Sequence, residues 1–199
     1  SNGKTTTKGI LFHLLSSFEA TSSTQGNFNN HIGVPLSLLD IKPEHKFSII
    51  EMGTNHPGEI QYLAELAKPA HAIITNIGDS HLEYLKDRKG VFIEKTSLLD
   101  LLEKGASVFI PQNDPFLLKL NTNTQYKVIR YGIEEGDFQA TQVHKDSEGF
   151  SFKIKDIPFR LNILGEHNLL NSLAALAMAN SLGFDLPQLS DSIKSYTPN

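Results

Sequence analysis

The residues with the most evident chemistry open the chain: Ser1-Asn2-Gly3-Lys4-Thr5-Thr6-Thr7. Gly-Lys-Thr is the closing half of a phosphate-binding loop, and each residue type answers a physical need. A glycine lets backbone N–H groups approach phosphate oxygens, a lysine reaches the β- and γ-phosphates, and a threonine hydroxyl ligates Mg2+. Behind the triplet, Ile10, Leu11, Leu14, Leu15 and Phe18 recur at helical spacing, so the loop runs into a helix. Gly3, Lys4, Thr5 and Thr6 are therefore the expected nucleotide contacts. The full loop pattern asks for one more glycine upstream of Ser1, outside this sequence. The bland alternative is a chance triplet in a surface turn.

Other polar residues stand where apolar runs end, which is where an open α/β sheet binds ligands. Glu51 follows the run Phe47-Ser48-Ile49-Ile50 and could hold Mg2+ beside the loop; a strand-end glutamate paired with a surface lysine fits equally. His81, in Thr75-Asn76-Ile77-Gly78-Asp79-Ser80-His81-Leu82-Glu83, follows the next apolar run; alone it would more often pack or cap. Lys95 sits among apolar neighbours on a helical stretch, where a lysine ordinarily snorkels to water. Asn168 and Asn171 share one side of another helix start. Their amides could meet the edge of an adenine, or they could simply cap the helix.

Strands are expected at 19–24, 47–52, 71–76 and 106–110, with helices at 34–39, 57–67, 89–103, 167–182 and 187–196. Residues 25–33, rich in Gly and Asn, read as a loop. Alternating strands and helices imply βαβ units and a mainly parallel sheet flanked by helices. After Tyr126 the texture changes to short strand-like runs at 127–131, 138–144, 150–154 and 159–163, expected to form a small antiparallel edge. The fold class is thus α/β.

The bulk properties exclude several classes. A chain of 199 residues, 39% hydrophobic and 20% charged, with a net charge of −4, reads as one globular domain without the basic excess of a nucleic-acid binder. No cysteine is present, which removes disulfides, thiolate nucleophiles and thiolate metal sites. No apolar stretch approaches the roughly 20 residues of a membrane span, and no signal peptide is recognised, so the cytoplasm is the expected location.

Five segments taken in order are similar to the Mur ligases, the ATP-dependent amide-forming enzymes of peptidoglycan precursor synthesis. They are Ser1 to Thr7, Asn29-Asn30-His31-Ile32-Gly33-Val34-Pro35, Glu51-Met52-Gly53, Ile74 to Glu83, and Gly165-Glu166-His167-Asn168-Leu169-Leu170-Asn171. The wording is most similar to the branch that joins D-alanyl-D-alanine to UDP-N-acetylmuramoyl-tripeptide. The resemblance implies a P-loop NTPase-like central domain over residues 1–199, with a UDP-sugar domain and an amine-receiving domain flanking it. The fragment alone would then be inactive, and the full-length enzyme a monomer using ATP and Mg2+.

The resemblance further implies that Lys4 steadies the β- and γ-phosphates, that Thr5 and Glu51 hold one Mg2+, and that His81 helps hold a second. Lys95 would act as a carbamate on that second metal, although the family's usual Ala-Lys-Gly-Glu stands here as Glu94-Lys95-Thr96-Ser97. Asn168 and Asn171 would meet adenine; Asn29 and Asn30 would meet the incoming substrate. With no strand ahead of it, the segment 1–5 is expected to lack an anchor. A folylpolyglutamate synthase-like enzyme would carry Gly-Lys-Gly-Ser in its loop. A GTPase would carry Asn-Lys-x-Asp, which the chain lacks. A nucleotide-binding module without ligase chemistry is the alternative from another class.

Overall fold

A computed structural model describes residues 2–79, 82–120 and 125–198. Helix α1 (Lys4–Ser16) begins after Gly3, whose φ of 90° suits glycine, and buries Ile10, Leu11, Leu14 and Leu15 along one stripe. Strand β1 (Thr21–Ser23) leads to the loop 25–32 and α2 (Gly33–Leu39). Strand β2 (Phe47–Ile49), α3 (Glu59–Ala67) and β3 (Ala72–Ile73) follow, then α4 (Leu82–Leu85) and α5 (Arg88–Thr96), which tightens into a 3-10 turn at Ser97–Leu101. The rest is β4 (Ser107–Pro111), β5 (Lys127–Ile133), β6 (Phe138–Lys145), β7 (Phe150–Ile154), β8 (Ile157–Leu161), α6 (Glu166–Ser181) and α7 (Leu186–Ile193).

The α/β class is as expected, and the strand pairing differs in two respects. The parallel sheet is split: β1 pairs with β2 in parallel, while β3 to β8 form a separate six-stranded sheet. No ladder joins β2 to β3, and residues of both line one cavity of about 470 Å3. The antiparallel edge is also narrower than expected. β5 pairs with β6 in parallel, Tyr131 opposite Phe138 and Ile133 opposite Ala140, and antiparallel pairing begins only at β6–β7. Parallel neighbours usually need a crossover of a dozen or more residues. Here four residues, 134–137, make the connection, with Glu134 (φ 60°) and Gly136 (φ 106°) in the left-handed region. A Cβ on Gly136 would stand 2.8 Å from the Arg130 carbonyl, so glycine is required there.

The larger core packs α1 and α6 on β4–β8, with Phe109, Tyr131, Phe152, Leu161, Leu173 and Leu176 among its buried side chains. Alanines 174, 175, 177 and 179 let α6 lie close to its neighbours. A smaller core under α5 gathers Ile74, Val91, Leu99, Val108 and Ile110.

Candidate functional site

The start of α1 is anchored, contrary to expectation. The carbonyl of Asn2 accepts from Thr75 Oγ1 at 3.2 Å and Asn76 Nδ2 at 2.8 Å, so the segment just past β3 holds the loop. The first i−4 bond of the helix is Thr7 N to Gly3 O at 2.8 Å. The turn before it aims its amides out of the helix end, an arrangement that favours anions. A Cβ on Gly3 would come 2.4 Å from Asn171 Oδ1, so only glycine lets α6 approach the loop.

Beside this turn stands Glu51, 6% exposed, just past β2. Its Oε1 accepts from Asn29 Nδ2 at 2.8 Å and from Thr5 Oγ1 at 3.3 Å. Its backbone N–H donates to Thr24 Oγ1 at 2.9 Å, which ties β2 to the end of β1. Oε2 is buried and takes no hydrogen bond; Lys8 Nζ lies 3.3 Å away as an ion pair without hydrogen-bond geometry. The Thr5 hydroxyl and the Glu51 Oε1 that faces it make a hard-oxygen donor pair that fits Mg2+. Among the described residues no three His, Asp or Glu side chains cluster as a metal cage. A cation here would therefore take most of its ligands from phosphate and water.

Lys95 projects from α5 and donates to the Asn76 carbonyl at 2.9 Å. Burial, with the charge of Lys4 adding to it, pulls its pKa down to about 8. Lys4, Lys8, Glu51 and Lys95 all line the one cavity between β2 and β3. His81 lies outside the described residues. Asn30 is turned away: its Oδ1 accepts from the amides of Ile32 and Gly33 at 3.0 and 2.9 Å and so opens α2. Asn168 gives its Nδ2 to the Leu164 carbonyl at 2.8 Å, a local contact just ahead of α6, while Asn171 packs on Gly3 with its Nδ2 3.5 Å from Asn168 Oδ1. The structure thus brings together Gly3, Thr5, Asn29, Glu51 and Asn171, and places Lys4 and Lys95 on the same cavity. It engages Asn30 and Asn168 in local turns.

Two residues escaped the sequence reading. Lys8, one turn beyond Lys4 on the same helix face, is 8% exposed; that i, i+4 spacing was the available signal. Glu94, 5% exposed, takes the amides of Gly58 and Ile60 at 2.7 and 2.9 Å and the Thr54 hydroxyl at 3.0 Å. It caps α3 from a distance and fixes the helix that carries Lys95; no local pattern in the sequence marks it.

A family model described as the Mur ligase middle domain matches residues 1–179. The UDP-N-acetylmuramoyl-tripeptide–D-alanyl-D-alanine ligase of Bacillus subtilis (strain 168) is 39% identical over 186 residues, covering 92% of this chain and 40% of that protein. The ligase of the same description from Escherichia coli (strain K12) is 34% identical, with 100% of this chain and 45% of the relative covered. Among solved structures, MurF from Acinetobacter baumannii superposes with a TM-score of 0.93 at 33% identity, over 100% of this chain and 45% of that one. MurF ligase from Thermotoga maritima in complex with ADP gives 0.86 at 27% identity, over 100% and 47%. The chain spans less than half the length of these relatives.

Proposed function

The chain belongs to the Mur ligase middle-domain family, and from that premise we propose that it is the central ATP-binding domain of a longer ligase. That ligase joins D-alanyl-D-alanine to UDP-N-acetylmuramoyl-tripeptide through an acyl phosphate. The observation that carries the reading is the Thr5 hydroxyl and Glu51 carboxylate, 3.3 Å apart at the open end of α1. Residues 1–199 are the ATPase part; a UDP-sugar domain and an amine-receiving domain complete the protein, which works as a cytoplasmic monomer. No helix among the described residues is long and apolar enough to cross a membrane.

In this reading the amides of Gly3 to Thr6 and the Lys4 ammonium hold the β- and γ-phosphates. Thr5 and Glu51 hold one Mg2+, which supplies charge neutralisation to the phosphates. The substrate carboxylate bonds to the γ-phosphorus as the bond to ADP breaks. The amine nitrogen then bonds to the acyl carbon, inorganic phosphate leaves, and the amine proton passes to water. The protein contributes position and charge, not a nucleophile. Asn171 already lies against the loop; Asn168 exchanges its Leu164 contact to meet adenine. Asn29 faces the incoming substrate from the far side of Glu51, and Asn30 shapes the loop there.

His81 and Lys95 serve a second Mg2+. An ammonium would repel that ion. A Lys95 amine drawn toward neutrality adds CO2 with loss of one proton and presents carbamate oxygens instead. The test is ADP formation by the full-length protein. It should require UDP-N-acetylmuramoyl-tripeptide and D-alanyl-D-alanine together; ADP formed with neither, or no nucleotide turnover under any pairing, would favour a binding module without ligase chemistry.

A further inference from the structure

The least expected group in the site is Lys8. Its ammonium donates to the Thr24 carbonyl at 2.8 Å and the Gly26 carbonyl at 2.5 Å, and lies 3.3 Å from Glu51 Oε2. The side chains of Lys8 and Glu51 are only 9% and 3% exposed. A lysine so buried and so engaged is not available to a phosphate, and it holds two things at once.

The first is the carboxylate. With Oε2 drawn to Lys8, Oε1 is left facing the Thr5 hydroxyl and the Asn29 amide. The second is the loop. The carbonyls of Thr24 and Gly26 flank Gln25, where the chain leaves β1 for the loop 25–32. Asn29, further along that loop, returns both its side chain to Glu51 and its carbonyl to Gly53 N at 2.7 Å. Lys8, Glu51 and Asn29 therefore close a ring between α1, the end of β2 and the loop.

We infer that Lys8 is a positioning residue that orients Glu51 toward the metal and fixes the entry of the Asn29 loop, so that metal site and loop are set together. This rests on the functional reading above. A lysine that merely fills space would affect folding alone. A lysine that stands in for the metal would, on removal, make cation binding tighter, because a like charge has gone. A positioning lysine makes it weaker on removal, since partners that orient a ligand typically contribute about 10- to 100-fold to metal affinity.

The test uses full-length protein with Lys8→Met and Lys8→Gln; the glutamine variant, which keeps a donor, carries the test if the methionine variant does not fold. Mn2+ binding to the ADP-loaded protein is followed by its paramagnetic signal and normalised to the folded fraction. Affinity should fall about tenfold in both variants, with ADP affinity in metal-free buffer unchanged. Without metal or nucleotide, amide exchange at residues 28, 29 and 53 should quicken. Unchanged Mn2+ affinity with unchanged exchange would overturn the inference, and tighter Mn2+ binding would overturn it in favour of a stand-in cation. No Mn2+–ADP binding by the unsubstituted protein would overturn the functional reading itself.

Discussion

The strands on the two sides of the molecule are built differently: the β1–β2 pair with neighbouring β3, and the run β4–β8. β1, β2 and β3 are three, three and two residues long, with mostly half-buried side chains. β4 buries all five of its residues, and β5 to β8 run for five to eight residues over the large core. Every described candidate residue comes from the short-strand end or from α1, α5 and α6 where they reach it. Short strands terminate early, and their chain ends become the loops that present Glu51, Asn76 and Asn29. The long-strand end supplies the apolar burial that holds the molecule together. α1 and α6 link the two, each packed into the core along one face and polar where it meets the site. Chemistry and stability are thus largely separable in this fold, and substitutions at the two ends should fail in different ways.

The largest effect is expected at Lys4. Lys4→Ala in the full-length protein should lower the rate of ADP formation by about 10^2- to 10^3-fold, the scale of losing one charge-stabilising group, with an unchanged melting temperature. A variant that instead melted early would blur the separation. At the other end, Leu173 is fully buried between α6 and the sheet. Leu173→Ala should destabilise by about 2–5 kcal/mol in urea unfolding, while the folded fraction keeps its ADP affinity.

Asn30 sharpens the boundary between the two roles. Its side chain opens α2, so Asn30→Ala should cost about 1 kcal/mol and leave the Michaelis constants for both peptide substrates alone. A tenfold rise in either constant at unchanged stability would restore Asn30 as a substrate contact.

The smallest effect concerns pH. Burial lowers the Lys95 pKa to about 8 from its ordinary 10.5. Between those values the unfolded chain binds more protons than the folded one, so stability rises with pH across that window. Below pH 8 both states are protonated and the penalty is fully present. Lys95 is only half-buried, so the slope is shallow. Lys95→Met should remove it, and an unchanged slope of stability against pH would reassign it to another group.

How much of this could be read from residue order follows the same division. The run Ser107-Val108-Phe109-Ile110 and the helix through Leu169, Leu173 and Leu176 carry their burial in their own pattern, and both elements form where expected. The strands at 47–52 and 71–76 shrink to 47–49 and 72–73, and their polar ends turn to partners elsewhere in the chain. Thr75 and Asn76 go to the Asn2 carbonyl, and the Glu51 amide goes to Thr24. Thr5 and Glu51 were legible as residue types at strand and helix ends. Lys8 offered only its i, i+4 spacing from Lys4, since its partners are carbonyls of Thr24 and Gly26 that only the closed loop brings near. The parallel pairing of β5 with β6 was not legible; it depends on Glu134 adopting a left-handed conformation that glutamate rarely takes.

Amide hydrogen exchange with and without MgADP, on protein containing this chain, shows whether ligand chemistry is confined to the short-strand end. Slower exchange is expected at residues 3–8, 28–29 and 51–53 and at the start of α6, with β6, β7 and β8 unchanged. Protection spread over β6–β8, with none at the start of α1, would contradict that confinement.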